Sequence, residues 1–455
     1  MFHPFLTNFA IINLLQHYIF IMHLKAAYFT LGCKLNYAET STIAGMLGQK
    51  GIVKASPQET PDICVVNTCS VTETADKKAR NLIRRLANKY PDTSIIVTGC
   101  YAQLKPEEVA KLPGVSLVLG SNEKLRISQY VDSWIGMADK KVEITPALSL
   151  QEFMPSCERG DRTRYFLKVQ DGCDYFCTYC TIPYARGRSR SGKISELAGM
   201  AREVAAKGGR EIVITGVNIG TFGKDSGEDF LDLLKSLDEI PGIERYRISS
   251  IEPNLLSEDI LRWIAEESRA FMPHFHIPLQ SGSDKVLKLM NRRYDTSLFQ
   301  SRIDLIHELI PNAYIGVDII TGARGETEEE WQKSYDFARH LNVAKFHVFP
   351  YSERPGTKAL LLGEAVPMDV RRKRVAQITE LSNKKNLDFI NRNFGLKRKV
   401  LWEQPYGRNL MHGLTDNYIR VEAPLIPELF NQISEVEILQ PKTGSSEIAI
   451  GSHIL

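Results

Sequence analysis

Twice along its 455 residues the chain alternates short apolar runs with helical segments, and this repeat restricts its possible folds more than any other feature. From Lys25 to about Gly120 the apolar runs are KAAYFT, DICVVN, SIIVTG and VSLVLG, separated by AETSTIAGMLGQK, KKARNLIRRLANKY and PEEVAKL. Strands that alternate with helices build a parallel sheet covered on both faces, so a Rossmann-like α/β domain is predicted. A second series begins at YFLKVQ, Tyr165 to Gln170, and continues through EIVITG, RYRISS, HFHIPL, YIGVDIITG and AKFHVFPY. Six such repeats predict a partial (β/α)6 barrel, whose working residues sit at the strands' carboxyl ends. From about Leu396 the pattern changes to short strands between turns, KRKVLWE, NYIRVEA and SEVEIL, which predicts a small all-β barrel. The expected domains are therefore 24–150, 151–392 and 393–455 of an α/β multidomain chain.

A composition of 43% hydrophobic and 24% charged residues is that of an ordinary globular protein, and it argues against a disordered or membrane-spanning chain. The net charge of +3 says little about partners, because a nucleic-acid binder can gather its basic residues in one patch. The opening stretch through Met22 is apolar, but Asn13, Gln16 and His17 interrupt it. No Lys or Arg precedes it and no small-residue cleavage site follows, so residues 1–23 are expected to be an extension ahead of a start near Met22, and no membrane partner is expected.

Eight cysteines are too few and too clustered for a disulfide framework in a chain of this size. Their grouping fits metal or redox chemistry in a reducing compartment, with the cytoplasm as the expected location. Cys33, Cys69 and Cys100 each follow a strand, in TLGC, VNTC and VTGC, and the carboxyl edge of an open α/β sheet is where ligands bind. Cys64 lies inside the run ICVV and reads as a small buried apolar residue, while Cys157 sits in a linker. Cys173, Cys177 and Cys180 crowd into GCDYFCTYC directly after the first strand of the second series. Structural zinc generally takes four Cys or His ligands, and no fourth is near this triad. An iron–sulfur cluster normally takes four thiolates, so three leave one iron open to a substrate or cofactor.

This spacing, with Tyr179 before the last cysteine, resembles the signature of the radical S-adenosylmethionine enzymes. The resemblance implies that Cys173, Cys177 and Cys180 hold a 4Fe–4S cluster whose open iron is chelated by the amino and carboxylate groups of S-adenosylmethionine, and that these residues are the catalytic centre. Reductive cleavage would then yield a 5′-deoxyadenosyl radical. With TLGCKLNYAETSTI, VVNTCSVTETADKKAR, HIPLQSGSDKVLKLMNRRY and GLTDNYIRV, the chain is similar to the methylthiotransferases over nearly its whole length from residue 24. That likeness implies a second 4Fe–4S cluster on Cys33, Cys69 and Cys100 that handles sulfur, and a TRAM-like RNA-binding barrel at the carboxyl end. TLGCKLNYAET and CDYFCTYCTIPYARG look most like the branch acting on N6-threonylcarbamoyladenosine at position 37 of tRNA. The alternatives are the isopentenyladenosine branch, the branch modifying a ribosomal-protein aspartate and, in a different class, a non-catalytic metal-dependent RNA-binding module. The implied partners are a tRNA anticodon loop, an electron donor such as flavodoxin or ferredoxin, and a sulfur donor that the sequence does not identify.

Further site residues are expected around the radical centre. Tyr179 is placed there by the motif itself, and VITGVNIG offers Thr215, Gly216 and Asn218 at a strand end for cofactor contacts. SSIEP offers Ser249 and Glu252, and LQSGS offers Gln280 and Ser281, the latter stretch also reading as a helix cap. Arg186 and Arg324 flank the expected radical site and are candidates for the carboxylate of a substrate. The stretch ITGARGET departs from relatives, which usually carry Phe-Pro in place of Ala323 and Arg324. Basic runs at DKKARNLIRRLANK, YARGRSRSGK and RRKR read either as solvated faces or as phosphate guides. Trp402, Tyr406 and Tyr418 read either as base-stacking platforms or as barrel core.

Overall fold

The computed structural model describes residues 24–134, 141–159, 163–224, 226–406 and 409–453; the expected extension at 1–23 lies outside the described residues. The described chain divides into two compact units. The first runs through Glu158 and also takes in Thr181–Arg188; the second comprises Arg159–Cys180 and Ser189 onward.

In the first unit, strands β1 (Lys25–Thr30), β2 (Val53–Lys54), β3 (Ile63–Thr68), β4 (Ser94–Gly99), β5 (Val115–Leu119) and β6 (Lys141–Glu143) form one sheet of order β2-β1-β3-β4-β5-β6. Every pairing in it is parallel. β3 is buried along its whole length because both sheet faces are covered. Ile63, Val65 and Ile96 pack with Ile43 and Leu47 of the helix Lys34–Gln49. Cys64, Val66 and Val97 pack on the opposite face with Ala79 and Ile83 of the helix Glu73–Lys89, so Cys64 is a core residue. A short strand β7 (Ser156–Glu158) ends this unit's main segment, and Ser156 Oγ meets Thr42 Oγ1 at 2.5 Å.

In the second unit, β8 (Tyr165–Lys168) is followed by a two-residue antiparallel pair, β9 (Gln170–Asp171) with β10 (Arg190–Ser191). The remaining wall is made by β11 (Glu211–Thr215), β12 (Arg245–Ile248), β13 (His274–Gln280), β14 (Tyr314–Thr321) and β15 (Lys345–Pro350). Parallel ladders join β8 to β11 and β12, and β13 to β14 and β15. Single parallel bridges, Tyr246 to Phe271 and Ser250 to His276, connect the two ladders. The six repeats thus form the expected partial barrel.

The last five strands, β16 (Lys397–Tyr406), β17 (Leu410–Thr415), β18 (Arg420–Pro424), β19 (Ile433–Pro441) and β20 (Ile448–His453), close into a barrel of order β16-β17-β18-β20-β19. Trp402 is fully buried with Val400, Val421, Val436 and Ile438, and its Nε1 donates to Ser434 Oγ at 2.7 Å. It is core and offers no face for stacking. Tyr418 is likewise engaged, its ring stacked on His274 at a centroid distance of 4.0 Å with the Arg247 guanidinium 5.0 Å away. The side chain of Tyr406 lies outside the described residues.

This barrel belongs to the same compact unit as the six-stranded wall, and the join is made of buried charge. Arg245 and Arg247 alternate on β12, and Glu211 is the register partner of Arg245. Arg247 Nε donates to Glu211 Oε1 at 2.9 Å, while its two terminal nitrogens donate to the carbonyls of Asp416 at 2.8 Å and Thr415 at 2.7 Å. Arg245 donates to the carbonyls of Leu414 at 2.9 Å and Lys399 at 2.7 Å. A guanidinium taken out of water must have its donors satisfied, and here the small barrel's backbone supplies the acceptors. No helix among the described residues is long and apolar enough to cross a membrane.

Candidate iron–sulfur and cofactor sites

In the first unit the three cysteines sit past neighbouring strand ends, Cys33 after β1, Cys69 after β3 and Cys100 after β4. Adjacent strands lie about 4.8 Å apart, so three neighbours span roughly 10 Å, the scale of a cube-shaped cluster rather than of one ion. Two glycines make the approach possible. Gly32 has φ +104°, and a Cβ there would stand 2.6 Å from Cys69 Cβ; Gly99 has φ +93°, and a Cβ there would stand 2.3 Å from the Thr68 carbonyl oxygen. Asn36 braces the edge by donating to the carbonyls of Leu31 at 2.9 Å and Thr68 at 3.0 Å.

Charge also converges on this basin. Lys124 Nζ lies 2.6 Å from Glu39 Oε2 and Arg186 Nη1 lies 3.0 Å from Glu39 Oε1, with all three side chains at most 1% exposed. Arg186 also donates to Asn36 Oδ1 at 2.6 Å and hydrogen-bonds Cys100. Burial pushes the Cys100 thiol up, with Arg186 and Lys124 pulling the other way. Burial likewise pushes Cys69 up to about 12, and Cys100 and Cys33 add to the effect. A metal cluster would have to displace the protons these buried thiols hold, and two cations on one carboxylate suit an anionic cluster beside them. The residues present therefore fit a cluster held by Cys33, Cys69 and Cys100. The same geometry corrects the expectation for Arg186: its guanidinium is enclosed within the first unit, on Glu39, Asn36 and Cys100, and is not presented to a substrate carboxylate.

In the second unit the loop carrying Cys173, Cys177 and Cys180 is held by the segment after helix Asp284–Leu289. Thr178 N donates to the Met290 carbonyl at 3.1 Å, Thr178 Oγ1 to the Leu289 carbonyl at 2.8 Å, and Asn291 Nδ2 to the Tyr175 carbonyl at 3.3 Å. Phe176 takes φ +48° at the centre of the loop, a conformation that bulky residues adopt only when their surroundings impose it. Arg292, which the sequence reading passed over, is the central polar residue here. Its guanidinium donates to Cys177 Sγ at 3.3 Å, Tyr179 Oη at 3.4 Å and Tyr294 Oη at 3.0 Å, and pairs with Glu252. Asn218 Nδ2 reaches Cys173 Sγ at 3.9 Å. Burial pushes Cys173 up to about 11, and it also raises Cys177, which Arg292 opposes. The three thiols are partly exposed and accompanied by a buried cation, which fits a cluster with one corner left open. Among the described residues no three His, Cys, Asp or Glu side chains converge on a single ion, and a cube that takes one thiolate per corner does not require it.

The other expected contacts divide. Tyr179 and Glu252 stand at the cysteine loop through Arg292. Asn218 keeps its side-chain oxygen without a hydrogen-bond partner while its backbone N–H donates to Gln170 Oε1 at 2.8 Å. Gln280 lies at a register shift at the carboxyl end of β13, with φ +66°. Ser249 and Thr215 are buried at the ends of β12 and β11. Gly216 faces Gln170, whose carbonyl oxygen would lie 2.9 Å from an added Cβ, so packing alone accounts for a glycine there. Ser281 is fully buried and its Oγ accepts from Ser283 N at 3.2 Å; Ser283 in turn caps helix Asp284–Leu289 at Val286 N. The helix-cap reading of LQSGS holds, and the Ser281 hydroxyl is not presented to a cofactor. Arg324 is held by Glu353 at 3.0 Å and by the Leu360 carbonyl at 3.2 Å, an intramolecular anchor in place of the expected substrate contact. Ala323 packs with Val286, Met290 and Tyr351, so the small residue of the departing ITGARGET stretch is part of the wall. Glu326 Oε1 accepts from Gly322 N at 2.8 Å and pairs with Arg374 at 2.5 Å.

Residues 25–120 match the family described as uncharacterized protein family UPF0004, and residues 167–338 match the Radical SAM superfamily. Threonylcarbamoyladenosine tRNA methylthiotransferase MtaB of Bacillus subtilis is 35% identical over 91% of this chain and 93% of its own length. The protein of that name from Thermotoga maritima is 36% identical over 92% and 94%. The tRNA-2-methylthio-N(6)-dimethylallyladenosine synthase of Clostridium tetani is 33% identical over 86% and 89%. Among solved structures, the radical S-adenosylmethionine methyltransferase TsrM of Kitasatospora setae, with cobalamin and a 4Fe–4S cluster bound, aligns with a TM-score of 0.54 at 14% identity. That alignment covers 74% of this chain and 77% of TsrM, a likeness of fold.

Proposed function

Because the chain belongs to the radical S-adenosylmethionine methylthiotransferases, enzymes that use S-adenosylmethionine and 4Fe–4S clusters, we propose that it converts N6-threonylcarbamoyladenosine 37 of tRNA to its 2-methylthio derivative. The observation that carries this reading is the extent of the likeness: the two matched families take in both cysteine triads, and the alignments cover more than nine tenths of the MtaB relatives of Bacillus subtilis and Thermotoga maritima. The MtaB relatives are 34–36% identical, the dimethylallyladenosine synthases 31–33%, which favours the threonylcarbamoyl substrate.

Carbon 2 of a purine carries no acidic proton, so its substitution calls for radical chemistry, and a bound S-adenosylmethionine at a reduced cluster supplies that radical. Cys173, Cys177 and Cys180 would hold this cluster, and Arg292 would fix the Cys177 thiolate and the Glu252 carboxylate beside it. Cys33, Cys69 and Cys100 would hold the sulfur-handling cluster, with Arg186 and Lys124 balancing its charge. The substrate is an anticodon loop, whose unpaired base is splayed out at lower cost than one inside a duplex. Exposed cations Lys77, Lys78, Arg84 and Arg85 on the helix Glu73–Lys89 suit phosphate contacts. The reaction would take place in the cytoplasm, with a flavodoxin- or ferredoxin-like electron donor and a separate sulfur donor. Nucleoside mass spectrometry of tRNA from a strain lacking the gene is expected to show loss of the 2-methylthio nucleoside and accumulation of its threonylcarbamoyl precursor. An unchanged threonylcarbamoyl pool with loss of a methylthio-isopentenyl nucleoside would move the enzyme to the other branch.

A further inference from the structure

Beneath the cysteine loop, the wall of the second unit carries a polar group that neither cysteine triad uses. On β14 the residues Ile315, Val317 and Ile319 are fully buried, while Asp318 and Ile320 alternate onto the other face. Ile320 packs with the group around Tyr179, which identifies that face as the one below the cluster loop. Asp318 Oδ1 lies 2.8 Å from His276 Nε2 on β13, and the His276 ring stacks on that of His347 on β15, with centroids 5.0 Å apart and planes 15° from parallel. His276 and Asp318 are 22% and 21% exposed, more than is usual for inward residues of a packed barrel. Although Asp318 is close, the His276 ring nitrogen makes no properly directed hydrogen bond. Burial raises the Glu252 carboxyl and the nearby Asp318 adds to the effect, and through Arg292, which pairs with Glu252, the polar row continues to Cys177. A metal ion is a poor occupant, because no three such side chains converge on one point among the described residues.

We propose that His276, Asp318 and His347 form the seat of the acceptor purine, an inference that rests on the methylthiotransferase reading above. Stacked imidazoles offer a flat face to a base, the undirected ring nitrogen of His276 offers a hydrogen bond to a purine nitrogen or carbonyl, and Asp318 accepts from an N–H or hydroxyl of the modified base. The row places that base on the inner face that also bears Tyr179. These residues are then specificity determinants, separate from the cluster ligands and from Arg292.

The test uses full-length, anaerobically reconstituted enzyme with a synthetic anticodon stem-loop bearing threonylcarbamoyladenosine. His347→Ala and Asp318→Asn are compared with wild type for methylthio product, for KM of the stem-loop, and for 5′-deoxyadenosine formed without RNA. His347→Ala is expected to raise KM about ten-fold, in the range of a lost base-stacking contact, while RNA-independent cleavage and the cluster absorption spectrum stay unchanged. His347→Phe, which keeps the ring, is expected to restore most of the affinity, and it also serves should the alanine variant fail to fold. Wild-type KM and product yield in both His347→Ala and Asp318→Asn would overturn the proposal. If wild-type enzyme itself leaves the stem-loop unmodified, the substrate reading fails instead, and the two failures are thereby distinguished.

Discussion

Replacing Cys173, Cys177 and Cys180 together by alanine is expected to abolish 5′-deoxyadenosine formation, whereas replacing Cys33, Cys69 and Cys100 is expected to leave cofactor cleavage and eliminate only the thiolated product. The two triads lie in different compact units, each with its own buried cation, Arg292 at Cys177 and Arg186 at Cys100. Each triple variant is expected to lose about four irons per chain, one four-iron cluster's worth, and to keep the other cluster's absorption. Loss of cleavage in both variants, with the remaining cluster intact, would refute this division of labour.

The second large effect concerns the carboxy-terminal barrel. An RNA-binding module joined by a tether is removed at the cost of RNA affinity alone. Here, ending the chain at Asn393 takes away the carbonyls of Lys399, Leu414, Thr415 and Asp416 from Arg245 and Arg247. It also uncovers Tyr314, Phe389 and Ile390, which pack with the barrel core. Removing the partners of a buried charge costs about 3–5 kcal/mol, comparable with the whole stability of many domains. The truncated chain is therefore expected to aggregate or unfold and to lose S-adenosylmethionine cleavage together with tRNA binding, as followed by circular dichroism and 5′-deoxyadenosine assay. A folded, monomeric truncation that cleaves the cofactor at the full rate would show that the arginines do not depend on the barrel.

The fold was legible where it depends on local pattern. Alternating apolar runs revealed both parallel walls, and in the first unit a cysteine after each of three neighbouring strands, with glycine before Cys33 and Cys100, marked the carboxyl edge of the sheet. Side-chain partners far apart in sequence were not legible. Arg186 meets Glu39 across 147 residues and Arg324 meets Glu353 across 29, so two arginines chosen for their nearness to the radical motif proved to be internal anchors. RRKR read as one charge run, yet Arg371 and Arg374 are buried while Arg372 and Lys373 are exposed, because residues three apart share one face of a helix and those between them point elsewhere. Two signals in the sequence do point to such partners: RYRISS places arginines at the period of a strand, which lines one face with charge, and MNRRY, which closes the stretch HIPLQSGSDKVLKLMNRRY, contains Arg292.

The most direct measurement offers the reconstituted enzyme matched anticodon stem-loops carrying threonylcarbamoyl, isopentenyl or unmodified adenosine in competition, with fresh reductant and nucleoside mass spectrometry of the products. A site that hydrogen-bonds a polar substituent rejects an apolar replacement by leaving its own groups unsatisfied. A methylthio group is expected at carbon 2 of the threonylcarbamoyl nucleoside, with the other two loops reacting far more slowly. Preferential thiolation of the isopentenyl loop would contradict the substrate assignment, and cofactor cleavage with no thiolated nucleoside from any loop would contradict the account as a whole.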